Sequence, residues 1–257
     1  MEYIVICSVA FIVSILTFFS GFGIGTLLMP AFAIFFPVSV AVALTAVVHF
    51  FNNILKVGLL GRQADKGMVL RFGIPAVIAA FLGAQLLLML AQLTPLFSYN
   101  LFGHEFSVTP INLVIAGILA FFAFFETLPV LKGFSFGRKH LIIGGILSGF
   151  FGGLSGHQGA FRSAFLVKTG IAKESYVATG AVVSAFVDIT RLLVYRNIFV
   201  NINMRENGLL LFVVIISALM GVIIGKRLLH KVTMSTVQFI VTGMLLFIAL
   251  GLGTGII

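Results

Sequence analysis

Charge is what this chain has least of. Only 9% of its 257 residues are charged, and seven of those are acids, against 60% hydrophobic residues. The mean hydropathy is +1.22. No soluble domain needs that much apolar surface, so composition excludes a soluble protein and implies a polytopic membrane protein. A single cysteine, Cys7, excludes an internal disulfide and a cysteine-based metal cluster; as a small apolar residue it faces lipid or a neighbouring helix. The start, Met1-Glu2-Tyr3-Ile4, lacks a basic n-region and no small-residue cleavage pattern follows, so the first apolar run is expected to stay as a membrane helix. Soluble domains, long tails and low-complexity segments are also missing.

What is present is a series of apolar runs, each near the roughly 20 residues that a bilayer crossing takes. They read as Tyr3–Phe19, a short piece Thr26–Phe36 ended by Pro37, Val38–Leu60, Met68–Ala91 and Ile111–Leu131. A second series follows: Leu141–Leu154, a short piece Gly159–Thr169, Ser175–Tyr195, Gly208–Leu229 and Thr233–Ile257. Between Ala91 and Ile111 the spacing predicts a polar loop without lysine or arginine. The expected fold is an all-α integral membrane protein with about eight transmembrane helices plus two short half-helices at glycine-rich breaks. The expected organisation is a first transmembrane repeat over 1–131, a basic linker loop over 132–140 and a second repeat over 141–257.

The case for a two-fold repeat lies in the residues. An offset of 135 lays Ser20–Lys56 on Ser155–Arg191, and nine of the 37 pairs are identical, seven of them among the last 15. Lys56/Arg191 match in charge and Asn53/Asp188 in shape. Internal repeats with broken helices, and a site at the repeat interface, are a signature of secondary transporters. The halves are parallel if each crosses four times, and inverted if a half-helix re-enters.

The stretch Ser148–Lys168 is the most unusual. It lies at membrane depth, yet it carries several glycines with His157, Gln158 and Arg162. Ser20-Gly21-Phe22-Gly23-Ile24-Gly25 echoes it in the first half. Irregular backbone survives in a membrane only where protein or a cavity surrounds it. A new helix N-terminus carries about half a positive charge and attracts anions. Close helix packing alone explains Gly144, Gly145, Gly149, Gly152, Gly221 and Gly225. It does not explain the polar residues beside the second break. The substrate-binding candidates are therefore Ser20, Gly21, Gly23 and Gly25 in the first break, and Ser155, Gly156, His157, Gln158, Gly159 and Arg162 in the second.

Two polar stripes continue into the next long helices. His49, Asn52, Asn53 and Lys56 share one helical face, as do Ser184, Asp188, Arg191 and Tyr195. Polar stripes in membrane helices face a bundle interior or an aqueous path, so His49, Asn52, Asn53, Lys56, Asp188 and Arg191 are assigned to the pathway or to coupling. Asp188 either pairs with Arg191 at i+3 or titrates during transport. Glu126 and Glu174 read as interfacial or capping residues. The net charge of +9 reflects basic cytoplasmic loops and an anionic substrate rather than nucleic acid. No cofactor or metal is expected.

Gly153-Leu154-Ser155-Gly156 is similar to the GxSG of rhomboid intramembrane proteases, but His157 is expected to point away from Ser155 on a regular helix, so no catalytic residue is assigned. The residues also leave open a channel or carrier for another small ion, including a cation, and a structural membrane subunit.

SGFGIGTLLMP followed by VAVALTAVVHFFNN, repeated as SGFFGGLSGHQGAFRSAFL followed by SYVATGAVVSAFVD, resembles the TauE/SafE sulfite exporter family, also called the 4-toluene sulfonate uptake permease family. The resemblance covers essentially the whole chain. It implies transport of sulfur-containing oxyanions or organosulfonates, often outward, across the bacterial inner membrane. Its glycine motifs fall on Gly21, Gly23, Gly25 and Pro30, and on Gly152, Gly153, Gly156 and Gly159. His157 and Gln158 replace part of the second glycine run, and Phe165 stands where Pro30 has its counterpart.

Overall fold

A computed structural model describes residues 2–20, 24–101, 103–127, 136–166, 169–202, 204–228 and 234–257. Helices dominate: α1 Glu2–Ser20, α2 Gly25–Ala33, α3 Val38–Leu60, α4 Lys66–Ala91 and α5 Pro110–Thr127. After the linker come α6 Leu141–Ser155, α7 Gly159–Leu166, α8 Lys173–Val194, α9 Arg196–Asn201, α10 Met204–Leu228 and α11 Met234–Thr254. Four stretches among the described residues are long and apolar enough to cross a bilayer: Val38–Gln63, Lys66–Ala91, Lys173–Val194 and Asn207–Gly225. Shorter apolar helices cover Glu2–Thr17, Pro110–Phe124 and Thr242–Thr254. The protein is an α-helical integral membrane protein. Its outer surface presents Ile74, Ile78 and Leu82 of α4 and Phe247 and Leu250 of α11, as a lipid-facing wall must.

The stretch expected as a polar loop is instead a β-hairpin, β1 Phe97–Leu101 paired antiparallel with β2 His104–Val108. Polar and apolar residues alternate along β1 and from Glu105 onward in β2, and Gly103 takes φ +81 in the turn. Tyr99 donates to the Thr254 carbonyl at 2.6 Å, tying the hairpin to the end of α11.

Glycine sets the closest helix contacts. A Cβ at Gly145, Gly149 or Gly153 of α6 would overlap the carbonyl of Phe72, Ala76 or Ala80 on α4. Residue numbers rise together along this contact, so α6 and α4 run in the same direction. Gly221 and Gly225 of α10 meet Phe11 and Ile15 of α1 in the same way, so α1 and α10 are also parallel. This is small-residue packing between membrane helices, as expected for Gly145, Gly149, Gly221 and Gly225. Gly144 makes room for the Phe165 ring and Gly152 for the Gln158 side chain.

Helix direction then follows from the ends. α3 starts and α4 finishes at the hairpin end, where Val38, Ala91, Thr109 and Ile257 line one cavity of about 280 Å³. At the opposite end the Asp65 N–H donates to Thr179 Oγ1 at 2.9 Å, joining the start of α4 to the start of α8. Asp65 also caps α4 by accepting from the Met68 N–H at 2.9 Å. α6 enters from that opposite end, and α7 returns toward it: the Phe136 N–H donates to Ala164 O at 3.2 Å, and Arg138 Nε to Thr169 O at 3.3 Å. The α6–α7 pair therefore begins and ends toward the same end of the bundle. α1, parallel to α10, enters from the hairpin end, and α2 returns to it at Ala33.

Candidate functional site

The second break begins with a left-handed glycine. Gly156 takes φ 82 and ends α6, its N–H bonding the Gly152 carbonyl at 3.0 Å; a side chain would be strained there. The chain turns through His157 and Gln158 and restarts at Gly159. The Gln158 carbonyl accepts from the Arg162 N–H at 3.2 Å and from Ser148 Oγ at 2.8 Å. The first break comes up against this turn, because a Cβ on Gly25 would overlap the Gly156 carbonyl oxygen. All nine residues of α2 are buried. Gly21, Gly23 and the Ser20 side chain lie outside the described residues.

The two polar stripes meet on Asp188. Its carboxylate is fully buried. Oδ2 lies 2.7 Å from His49 Nδ1 and accepts from Asn53 Nδ2 at 2.9 Å. Oδ1 accepts from Arg191 Nε at 3.0 Å and from Gln158 Nε2 at 3.2 Å, and Arg191 Nη2 lies 2.9 Å away. The short contact to Asp188 is a hydrogen bond when the proton sits on His49 Nδ1. Thus α3, α8 and the second break close on one carboxylate. Asp188 does pair with Arg191, as one of the two sequence readings holds, and it also takes three further partners.

Arg191 reaches past Asp188 to the break, where Nη1 donates to Gly152 O at 3.2 Å. One turn on, the Tyr195 hydroxyl donates to Gly153 O. These two bonds satisfy carbonyls at the end of α6. Tyr195 belongs to the same sequence stripe, but its role as a lock on the α6 terminus was not readable there.

Arg162 and Lys56 gather beside Asn53, which links them to Asp188. They line a small cavity of about 20 Å³ with Thr17, Asn53, Tyr176, Val177, Gly180 and Ala181, room for roughly one water. Arg162 donates to Ser184 Oγ. A Cβ at Gly180 would stand 3.1 Å from Arg162 Nε, so that glycine leaves the guanidinium its space. Tyr176 OH is 3.0 Å from Ser163 Oγ. Thr17 Oγ1 is buried without a hydrogen-bond partner among the described residues. Sequence reasoning passed over Thr17, Tyr176 and Gly180. Applied to α1 and α8, the one-face argument used for the two stripes would have reached them only with the helix orientations known.

His157 serves the break itself. Nδ1 lies 3.0 Å from Ser155 O and 3.2 Å from Ser155 Oγ, and the ring stacks on Phe122 at 5.4 Å. The expectation that His157 points away from Ser155 is overturned, because left-handed Gly156 interrupts the helix between them. Ser155 Oγ itself donates to Phe151 O at 3.0 Å. Asn52 is buried, with neither amide atom partnered among the described residues. No cluster of three metal-ligating side chains occurs among the described residues.

The charge layout limits what can bind. At an effective dielectric of about 20, two unit charges 4 Å apart interact by about 4 kcal/mol, and at Asp188 the paired Arg191 offsets that repulsion of an anion. Compared with protein families, the chain matches the family model described as Sulfite exporter TauE/SafE over residues 6–252. Neither the curated proteins nor the solved structures give a match.

Proposed function

Because the chain belongs to the TauE/SafE sulfite exporter family, we propose that it is a secondary transporter that moves a small sulfur oxyanion or sulfonate between its two halves. The family is one of membrane transporters of the sulfite exporter type. The observation that carries the proposal is the meeting of the two helix breaks, Gly25 against Gly156, beside a buried polar cluster drawn from both halves. In this reading Gly25, Ser155, Gly156 and Gly159, with Ser20, Gly21 and Gly23, form the hinges of the site. His157 and Gln158 hold the second hinge, and Arg162 supplies charge to the anion.

The halves, 1–131 and 141–257 joined by 132–140, are proposed to be an inverted repeat. Helix ends support this: α1 ends at Ser20 and α6 at Ser155, while α3 begins at Val38 and α8 at Lys173, each 135 apart. So does packing. Exchanging the halves turns the α4–α6 contact into α10–α1 and the α4–α8 contact into α10–α3, and all four occur. Asn53 and Asp188, also 135 apart, bond each other where such an axis would pass. The eight longer segments then comprise six crossings and the entering arms, α1 and α6, of two re-entrant pairs. Arg62, Lys66, Arg71, Arg138, Lys139 and Lys173 gather at the end opposite the hairpin, so that end faces the cytoplasm by the positive-inside rule. A bacterial inner membrane fits this orientation.

Transport would proceed by rocking one half against the other. Arg191 on Gly152 O and Tyr195 on Gly153 O close the hairpin side, while His49, Asn52, Asn53 and Asp188 line the path. The test is Arg162→Ala in purified, reconstituted protein. The expected outcome is lost sulfite or sulfonate binding with an unchanged elution profile and unfolding temperature; retained affinity would sink Arg162 as the anion ligand. A hydrolase reading has the Ser155–His157 approach in its favour. It requires fluorophosphonate labelling of wild type that Ser155→Ala abolishes.

A further inference from the structure

We infer that the anion does not sit on the glycine breaks but one to two helical turns toward the basic end, in the cavity between Lys56 and Arg162. This rests on the oxyanion-transport reading and locates its site. The breaks meet beside Asp188, whose two carboxylate oxygens already hold four side chains. An anion placed there meets the Asp188–Arg191 ion pair, whose charges offset each other, and has to displace Gln158 or Arg191 from bonds they already make. The Lys56–Arg162 cavity has a different character. Among its described lining residues two are cations and none is acidic. Guanidinium and ammonium groups are the side chains that oxyanions favour.

Two further features fit an anion. Thr17 Oγ1 is buried at the cavity wall, unpartnered among the described residues; a donor kept from water is satisfied when an oxyanion accepts from it. Gly180 clears the space into which the Arg162 guanidinium fits. Tyr176 adds a phenol at the same wall. Among the described residues the remaining wall is Asn53, which donates to Asp188, with the small apolar Val177 and Ala181.

Size then selects the substrate. A cavity of about 20 Å³ holds a water-sized group as it stands. Withdrawal of the flexible Lys56 stem and the Arg162 head opens space for an anion of four or five heavy atoms. An aryl group would need the α3 and α8 backbones to part. The site therefore takes inorganic sulfur oxyanions and methanesulfonate, and rejects aromatic sulfonates.

The test is calorimetric titration of the purified full chain with sulfite, methanesulfonate and toluenesulfonate. Wild type is expected to bind the first two and not the third. Lys56→Met is expected to lose at least tenfold in sulfite affinity and Lys56→Arg to restore it. Gly180→Ala, which crowds Arg162, is expected to weaken binding severalfold. Thermal unfolding checks that each variant is folded; should Lys56→Met fail that check, Gly180→Ala and Thr17→Val carry the test. Folded Lys56→Met or Gly180→Ala binding sulfite within twofold of wild type overturns this location while leaving the transport reading intact. Toluenesulfonate binding as tightly as sulfite overturns the size limit. Wild type that binds no oxyanion at all removes the transport reading, and this location with it.

Discussion

Asp188 organises the residues around it more than any other group. A fully buried carboxylate is held only because each oxygen has two partners, from α3, α8 and the second break. Removing its charge leaves Arg191 buried without its counter-ion, and such a loss costs about 3–5 kcal/mol. Asp188→Asn is therefore expected to lower stability by that order, read by denaturant or thermal unfolding in detergent. His49→Ala is expected to cost less, because Asn53 still serves the same carboxylate oxygen. Equal losses in the two variants would mean that His49, not Arg191, is the dominant partner. Both residues were candidates from the sequence, where the i+3 spacing of Asp188 and Arg191 was plain. The His49–Asp188 contact was not plain, since helical periodicity orients a face without naming what it meets.

At the scale of the helix, small residues do two different jobs. In α6 and α10 they let backbones touch. Gly149→Ala places a methyl group into the Ala76 carbonyl and is expected to destabilise by about 1–3 kcal/mol, as overpacking does. Gly117 of α5 has nothing within reach of an added Cβ; there Gly→Ala is expected to be neutral or to stabilise by up to about 1 kcal/mol through helix propensity. Unfolding temperatures of the two variants, measured side by side, check the contrast. At the breaks, by contrast, Gly156 supplies a left-handed turn and Gly25 a close approach. Glycine content alone predicted both breaks and much of the packing. The hairpin of β1 and β2 was missed because its alternation is at most five residues per strand, short beside the helical runs that flank it.

For the whole molecule the decisive property is direction. If the halves are inverted and the basic end is cytoplasmic, a cysteine placed at Arg138 and one placed at Glu105 lie on opposite sides of the membrane. In a Cys7→Ser background, Arg138→Cys is expected to resist an impermeant maleimide added outside intact cells, and Glu105→Cys to react with it. Labelling of both from outside would refute the crossing of α5; the inversion is checked by Glu174→Cys at the exposed start of α8, which resists the maleimide as Arg138→Cys does if α6 and α7 re-enter and reacts with it if the halves are parallel. Sequence left parallel and inverted halves open, because hydropathy locates a segment and is blind to whether it crosses or turns back. The contacts of α6 with α4, and of α7 with the Phe136–Arg138 segment, support the inverted arrangement proposed above.

The sequence by itself determined that the chain lives in a membrane, where its helices break, and which polar residues share a face. These are properties of local composition and period, each set within a few helical turns. Tertiary structure alone decided that α6 and α7 begin and end toward one end of the bundle, that Asp188 is claimed by His49, Asn53, Gln158 and Arg191, and that Lys56 and Arg162 line one cavity with Thr17. Each of these depends on how segments far apart in the chain are oriented and cross, and a one-dimensional pattern carries no term for that.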